Sequence, residues 1–279
     1  MRRVVLAVSA ALLLTGCTSV VEGVASPAGG ATPTAGDDPM FEAPGVGTCH
    51  DIEVAYRPLE VPPVVDCGDG HTGETAAVLD TGLPLDAEYP TEADLDDDYL
   101  GDAYDDVCSY QTVDTYLQAQ PGDRVYADRT QVLPTEEQWA AGARWVACDV
   151  TYGYNTPEPV PGRLAGALQS GDTSPYRACL DGDPAENDVV PCSEPHWAEQ
   201  IGGLPDVAEG TPFPADAAAR AVIAAQCLPD AVDYLDGPLP PDIAVDITTD
   251  DAEDWAGYPF PTCVLVPAGG GTTDTSFRD

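Results

Sequence analysis

No lysine occurs in the 279 residues. The ten basic residues are all arginine and stand against 49 acidic ones, for a formal net charge of −39. A surface so poor in cations cannot neutralise a phosphate backbone, which excludes a nucleic-acid partner. Aromatic residues are scarce, at 7%, yet 43% of the chain is hydrophobic, so a core can still form. Long helices are excluded in turn by 27 glycines and 28 prolines. Catalytic signatures are missing as well: there is no Gly-x-Ser-x-Gly, no His-Glu-x-x-His and no phosphate-binding glycine loop. Ser193 lies three residues from His196, but nearness in sequence is not triad geometry. No catalytic residue and no cofactor are therefore assigned.

No stretch is long and apolar enough to span a bilayer. Val4 to Leu14 reaches about half of the ~20 residues needed. With Arg2 and Arg3 before it, this stretch reads as a signal-peptide core. It runs into Leu14-Thr15-Gly16-Cys17, which resembles the bacterial lipobox. That resemblance implies cleavage after residue 16 and acylation of the Cys17 thiol, with the acyl chains binding membrane at ~0.8 kcal/mol per buried CH₂. Residues 17–44 then read as a lipidated, flexible linker. The run Ala25-Ser26-Pro27-Ala28-Gly29-Gly30 has no apolar periodicity and cannot build a core.

Nine cysteines are present, and setting Cys17 aside leaves eight: Cys49, Cys67, Cys108, Cys148, Cys179, Cys192, Cys227 and Cys263. None sits in the close Cys-x₂₋₄-Cys spacing that zinc clusters use. An exported chain with an even count reads as disulfide-bonded, and no metal is assigned. The spacings repeat. Cys67-x₃-His71-x₂-Glu74 matches Cys192-x₃-His196-x₂-Glu199, and Tyr116-Leu117 and Tyr234-Leu235 follow the third cysteine of each set. Trp139 and Trp255 precede each last cysteine. These matches divide the chain into repeat 1 at 45–155, a linker at 156–172, repeat 2 at 173–266 and a disordered tail at 267–279. Pairs kept within each repeat still leave nine connectivities. The reading leans to Cys49-Cys67, Cys108-Cys148, Cys179-Cys192 and Cys227-Cys263.

Each repeat reads as a small α+β domain of β-β-α-β-α-β order. Strands are expected near Cys49, at Val64 to Cys67, at Ile243 to Ile247 and at Val146 to Val150, and helices at Thr91 to Val107 and Ala215 to Leu228. Thr135-x-x-Gln138 has the form of a capping box in front of Trp139. Both Trp139 and Trp255 read as core anchors.

Two stretches, Val190-Pro191-Cys192-Ser193-Glu194-Pro195-His196-Trp197-Ala198-Glu199 and Pro134 to Cys148, resemble the septum-formation-related domain of actinobacterial lipoproteins and membrane proteins. Each repeat resembles it separately. Repeat 1 departs at Gly70, where the pattern has proline. Repeat 2 departs at Gly257-Tyr258-Pro259-Phe260-Pro261, which replaces a Gly-x-Arg portion. The resemblance implies the fold and no known reaction. Arginine without lysine fits a GC-rich actinobacterial source.

His71, Glu74, His196 and Glu199 are the sharpest candidate site. An imidazole beside a carboxylate can bind metal or exchange protons, but a catalytic zinc needs a third protein ligand and none is apparent. The pairs are therefore read mainly as shaping the turn after the second strand. His50, facing Leu180 in the alignment, reads as a surface residue. Asp86 to Asp106 holds ten acidic residues and no basic one and reads as a solvated helix face. Within it, Asp96-Asp97-Asp98-Tyr99-Leu100-Gly101 imitates the start of a calcium loop, with Leu100 where an oxygen is required. The expectation is a non-enzymatic, extracytoplasmic lipoprotein, anchored to the cell membrane and binding another envelope or division-associated component. The alternative is a metal-binding or metal-dependent hydrolytic protein using the His-x-x-Glu pairs.

Overall fold

Two antiparallel sheets of five strands share one strand order. The computed structural model describes residues 38–54, 59–95, 106–169, 171–182, 188–249, 252, 255 and 259–278. The first sheet contains β1 (Cys49–His50), β2 (Val64–Val65), β3 (Gly73–Asp80), β4 (Ala127–Val132) and β5 (Trp145–Tyr152), in the order β2-β1-β3-β5-β4. The second contains β6 (Ala178–Asp181), β7 (Asp188–Pro191), β8 (Ala198–Gln200), β9 (Ile243–Thr248) and β10 (Thr262–Pro267), in the order β7-β6-β8-β10-β9.

Strand β5 shows why these residues hold a central position. All eight are buried, four on each face, as period-2 alternation requires of a strand covered on both sides. Val146, Cys148, Val150 and Tyr152 meet the helical side. Trp145 and Ala147 pack with Phe41, Ala43 and Val78 on the other.

The helices are short, and three of the described ones start at a side-chain cap. Ser109 accepts from Thr112 N–H and opens α2 (Tyr110–Leu117), after the single turn α1 (Glu92–Leu95). Thr135 and Gln138 close a reciprocal capping box at α3 (Glu136–Ala140). Asp216 accepts from Ala219 N–H at α4 (Ala217–Ala224), and a 3₁₀ turn leads on to α5 (Leu228–Tyr234). Each half repeats one anchoring device. Trp139 donates its indole N–H to Ala87 at 3.0 Å and meets Tyr89 edge-on; Trp255 donates to Thr211 at 2.9 Å and meets Phe213 edge-on.

Four disulfides staple the layers: Cys49–Cys67, Cys108–Cys148, Cys179–Cys192 and Cys227–Cys263. In each half one disulfide secures the edge hairpin. The other ties the helical layer to a strand inside the sheet.

The halves join through backbone. Asp123 bridges Ile201, Val125 bridges Arg177, and Gly202 N–H donates to Gly122 at 2.7 Å. A Cβ on Gly202 would lie 2.8 Å from the Gly122 Cα, so this approach requires glycine.

Several expectations need correction. A third strand, β3 or β8, stands between the second strand and the first helix of each half, so the order is not β-β-α-β-α-β. Neither β3 (GETAAVLD) nor the three-residue β8 (AEQ) shows apolar alternation. Glu74 and Glu199 sit on these strands, not in a turn. Of the helix expected at Thr91 to Val107, residues 96–105 and the calcium-like run lie outside the described residues. So do 1–37, including Cys17. Residues 38–44 are packed: Arg144 N–H reaches Pro39, and the Trp145 indole reaches Phe41 at 3.0 Å. The linker at 156–172 contributes Val160, Leu164 and Leu168 to the first core. The tail at 267–279 is no loose end either, because Thr273 pairs with His196 in both directions and Ser276 is buried. His50 is buried at 3% exposure rather than on the surface, with Nε2 3.0 Å from Thr75 Oγ1. Its partner across the sheet face is Asp149, whose carboxyl burial pushes up from the ordinary value while His50 and Thr75 pull it back. The register puts Leu180 and Val264 at the corresponding places in the second half, where they form an apolar cluster.

Candidate functional site

The two glutamates of the repeated motif are the centres of two buried hubs. Glu74 and Glu199 are both 0% exposed. A carboxylate can be held there only if donors replace its water. Glu74 receives His71 Nε2 at 2.9 Å, Tyr116 Oη at 2.6 Å, Arg163 Nε at 2.8 Å and the Leu164 N–H at 2.8 Å. Burial alone would raise its pKa. The bonds from Arg163, Tyr116, Leu164 and His71 outweigh burial and bring it down to about 2.

Glu199 is built the same way with different parts. Tyr234 donates its hydroxyl from the end of α5, Ser276 Oγ donates at 2.7 Å and the Phe277 N–H at 2.6 Å. Among the described residues, no arginine donates to it directly. Burial therefore dominates and pushes its carboxyl above the ordinary value, against the pull of Tyr234, Phe277, Ser276 and Arg177. The Tyr234 hydroxyl is pushed upward as well, first by burial and then by Glu199.

The backbone on either side matches closely. Val160 N–H donates to the His71 carbonyl and Leu164 N–H to Glu74; Thr273 N–H donates to the His196 carbonyl and Phe277 N–H to Glu199. Each half thus has a strap that crosses its own histidine and glutamate with the same four-residue step. The histidines differ. His71 faces its glutamate, whereas His196 turns Nδ1 to the Glu194 carbonyl at 2.7 Å and leaves Nε2 without a hydrogen-bond partner among the described residues.

Between the hubs, Asp123 binds Arg177 and Arg278, the latter at 2.7 Å, and Arg177 also reaches the Tyr234 hydroxyl at 2.9 Å. The second hub is thereby linked to the junction of the halves.

Metal binding at the pairs is not supported by this chemistry. Cys49, His71 and Glu74 bring donor atoms within 4.8 Å of one another, as do Cys179, Cys192 and His196. All three cysteines are in disulfides, and His71 Nε2 is spent on Glu74. No thiolate is left to bind an ion.

The structure thus joins His71 with Glu74 and keeps His196 and Glu199 apart in their bonding. It also supplies partners that sequence reading passed over: Tyr116, Arg163, Tyr234 and Ser276. The repeated Tyr-Leu pair was the available signal, since both its tyrosines bind the glutamates. No local pattern marks Arg163 or Ser276.

Comparison with protein families matches the chain, over residues 46–257, to the family described as septum formation. The chain belongs to the septum formation family. The match runs in a single span through both sheets of this septum-formation protein, rather than once per half. No curated protein and no solved structure matches it. No helix among the described residues is long and apolar enough to cross a membrane.

Proposed function

We propose that this septum-formation protein is a non-enzymatic envelope lipoprotein. It is held at the membrane by acylated Cys17, and its two sheets are tandem copies of one module that bind another envelope or division-associated component. The observation that carries the reading is the state of Glu74 and Glu199. The residues whose type and spacing pointed most strongly to chemistry are fully buried and saturated by donors that hold straps in place. That is a structural use of the motif, and it leaves the surface for recognition. The common strand order supports duplication, and four disulfides are consistent with an oxidising, extracytoplasmic setting.

Cell fractionation with the Cys17→Ser chain tests the anchor, and cross-linking in the same cells tests the partner. The native chain is expected in the membrane fraction, cross-linked to an envelope protein, with the variant released to the soluble fraction. Equal partition of both chains would overturn the anchor. Absence of any cross-linked envelope protein would overturn the binding role.

A further inference from the structure

The four disulfides are not equally sealed. Seven of the eight bonded cysteines are at most 2% exposed, and only Cys67 is partly open to solvent. It stands in a turn past the end of β2, where Asp66, Gly68 and Asp69 are all exposed. The Asp69 N–H closes that turn on the Asp66 carbonyl at 3.0 Å, and the Asp66 side chain accepts from the Gly68 N–H at 2.8 Å. An incoming group therefore reaches one sulfur of the Cys49–Cys67 bond, while Cys49, at 1% exposure, lies behind it.

The covered sulfur lies beside the first hub. A ring nitrogen of His71, a carboxylate oxygen of Glu74 and Cys49 Sγ are all within 4.8 Å of one another. Glu74 is ionised at neutral pH and accepts from His71 Nε2 at 2.9 Å, which places a ring proton on Nε2. Nδ1 of the same ring is buried and has no hydrogen-bond partner among the described residues. Sulfur, imidazole and carboxylate thus stand in the order of nucleophile, base and orienting group, with the sulfur masked by its bond to Cys67. In the second half the corresponding disulfide is shut in. Cys179 and Cys192 are both 0% exposed, and His196 spends Nδ1 on the Glu194 carbonyl.

We propose that Cys49–Cys67 is a redox-active disulfide that exchanges with an external thiol, and that His71 carries the proton of Cys49. A thiolate attacks Cys67 Sγ. A new S–S bond forms there as the Cys49–Cys67 bond breaks, and the electron pair leaves on Cys49 Sγ. One proton from solvent then joins the Cys49–His71 pair, resting on Nδ1 whenever the sulfur is a thiolate. A second external thiol displaces the first from Cys67. In sum, two external thiols give two electrons and two protons to the cystine and leave as a disulfide. Without the second thiol, the Cys49 thiolate attacks Cys67 and the bond recloses. The inference goes beyond the binding role and needs neither the lipid anchor nor a partner protein.

The test uses the full, disulfide-bonded chain. It is exposed to limiting 2-mercaptoethanol under native conditions, quenched in acid, alkylated and mapped by peptide mass spectrometry. Cys49–Cys67 should open at least about tenfold faster than any other disulfide, with mercaptoethanol found on Cys67. The isolated mixed disulfide is then left to reclose across a pH series. Reclosure follows the Cys49 thiolate, so its midpoint should lie at least about one pH unit below the ordinary thiol value of about 8.5. His71→Gln keeps a donor for Glu74 but has no nitrogen that takes up a proton. It should return the midpoint to about 8.5 and slow reclosure at neutral pH roughly tenfold. Simultaneous opening of all four disulfides, mercaptoethanol on Cys49 or a native midpoint near 8.5 would overturn the proposal, and each is read on the native chain whether or not the variant folds. An unshifted midpoint in natively folded His71→Gln would overturn the part assigned to His71. None of these readouts depends on Cys17 or on a cross-linked partner, so failure here is distinguishable from failure of the envelope reading.

Discussion

Replacing Glu74 by glutamine is expected to cost the fold about 3 kcal/mol at pH 7, because it removes the charge that pairs with Arg163 and turns one of two buried acceptor oxygens into an NH₂ that faces other donors. Arg163 is half exposed and can turn to solvent, which keeps the loss at the lower end of what breaking a buried ion pair costs. For a unit of this size the melting temperature should fall by roughly 10 °C. The pH dependence identifies the cause. The folded-state pKa of Glu74 is about 2, below the ordinary 4.5. A lowered carboxyl gives stability that is fully present above 4.5 and is lost as pH falls toward 2. The deficit of Glu74→Gln should therefore shrink over that window, since the native chain loses there what the variant never had. Glu199 has the opposite sign. Its carboxyl is raised, so its contribution is fully present below the ordinary pKa and is lost as pH rises through the folded value. Glu199→Gln should accordingly cost less at pH 7 than Glu74→Gln. Thermal melts of both variants between pH 2.5 and 7 measure this. A Glu74→Gln deficit that stays constant with pH would show that the carboxylate charge is not what the hub depends on.

The contrast between the hubs shows what sequence reading can reach. Ile243, Val245 and Ile247 alternate, and β9 is where they stand. Thr135 and Gln138 are close in sequence, and their capping box forms around the helix that carries Trp139. Features specified within a few residues were legible. Strand β3 was not, because Glu74 interrupts any apolar pattern, and its burial is made tolerable by Arg163 and Leu164 from a distant strap. The same holds for the tail, where Ser276 and Phe277 are ordered by a glutamate 77 and 78 positions earlier. His50 was misplaced because its aligned partner is Leu180. The two sheets fill corresponding positions in their strand order with opposite chemistry.

Loss of the Cys108–Cys148 disulfide is expected to be at least as damaging as loss of the Glu74 hub. The crosslink joins residues 40 apart, which in the chain-entropy model restricts the unfolded state by about 4 kcal/mol. It also fastens the start of α2 to the middle of β5, and α2 brings Tyr116 to Glu74, so one bond supports both the helical layer and the first hub. The Cys179–Cys192 crosslink spans 13 residues in an edge hairpin and restricts the unfolded chain by only about 3 kcal/mol. Paired alanine replacements, made in each disulfide separately and compared by urea unfolding, should rank Cys108/Cys148 as the costlier by about 1 kcal/mol or more. The Cys108/Cys148 variant should also lose part of its sensitivity to Glu74→Gln, because a loosened α2 no longer presents Tyr116, whereas the Cys179/Cys192 variant should keep it in full. Equal coupling of Glu74 to both disulfides would mean that the two halves unfold as one body, and that the helical tether has no special claim on the first hub.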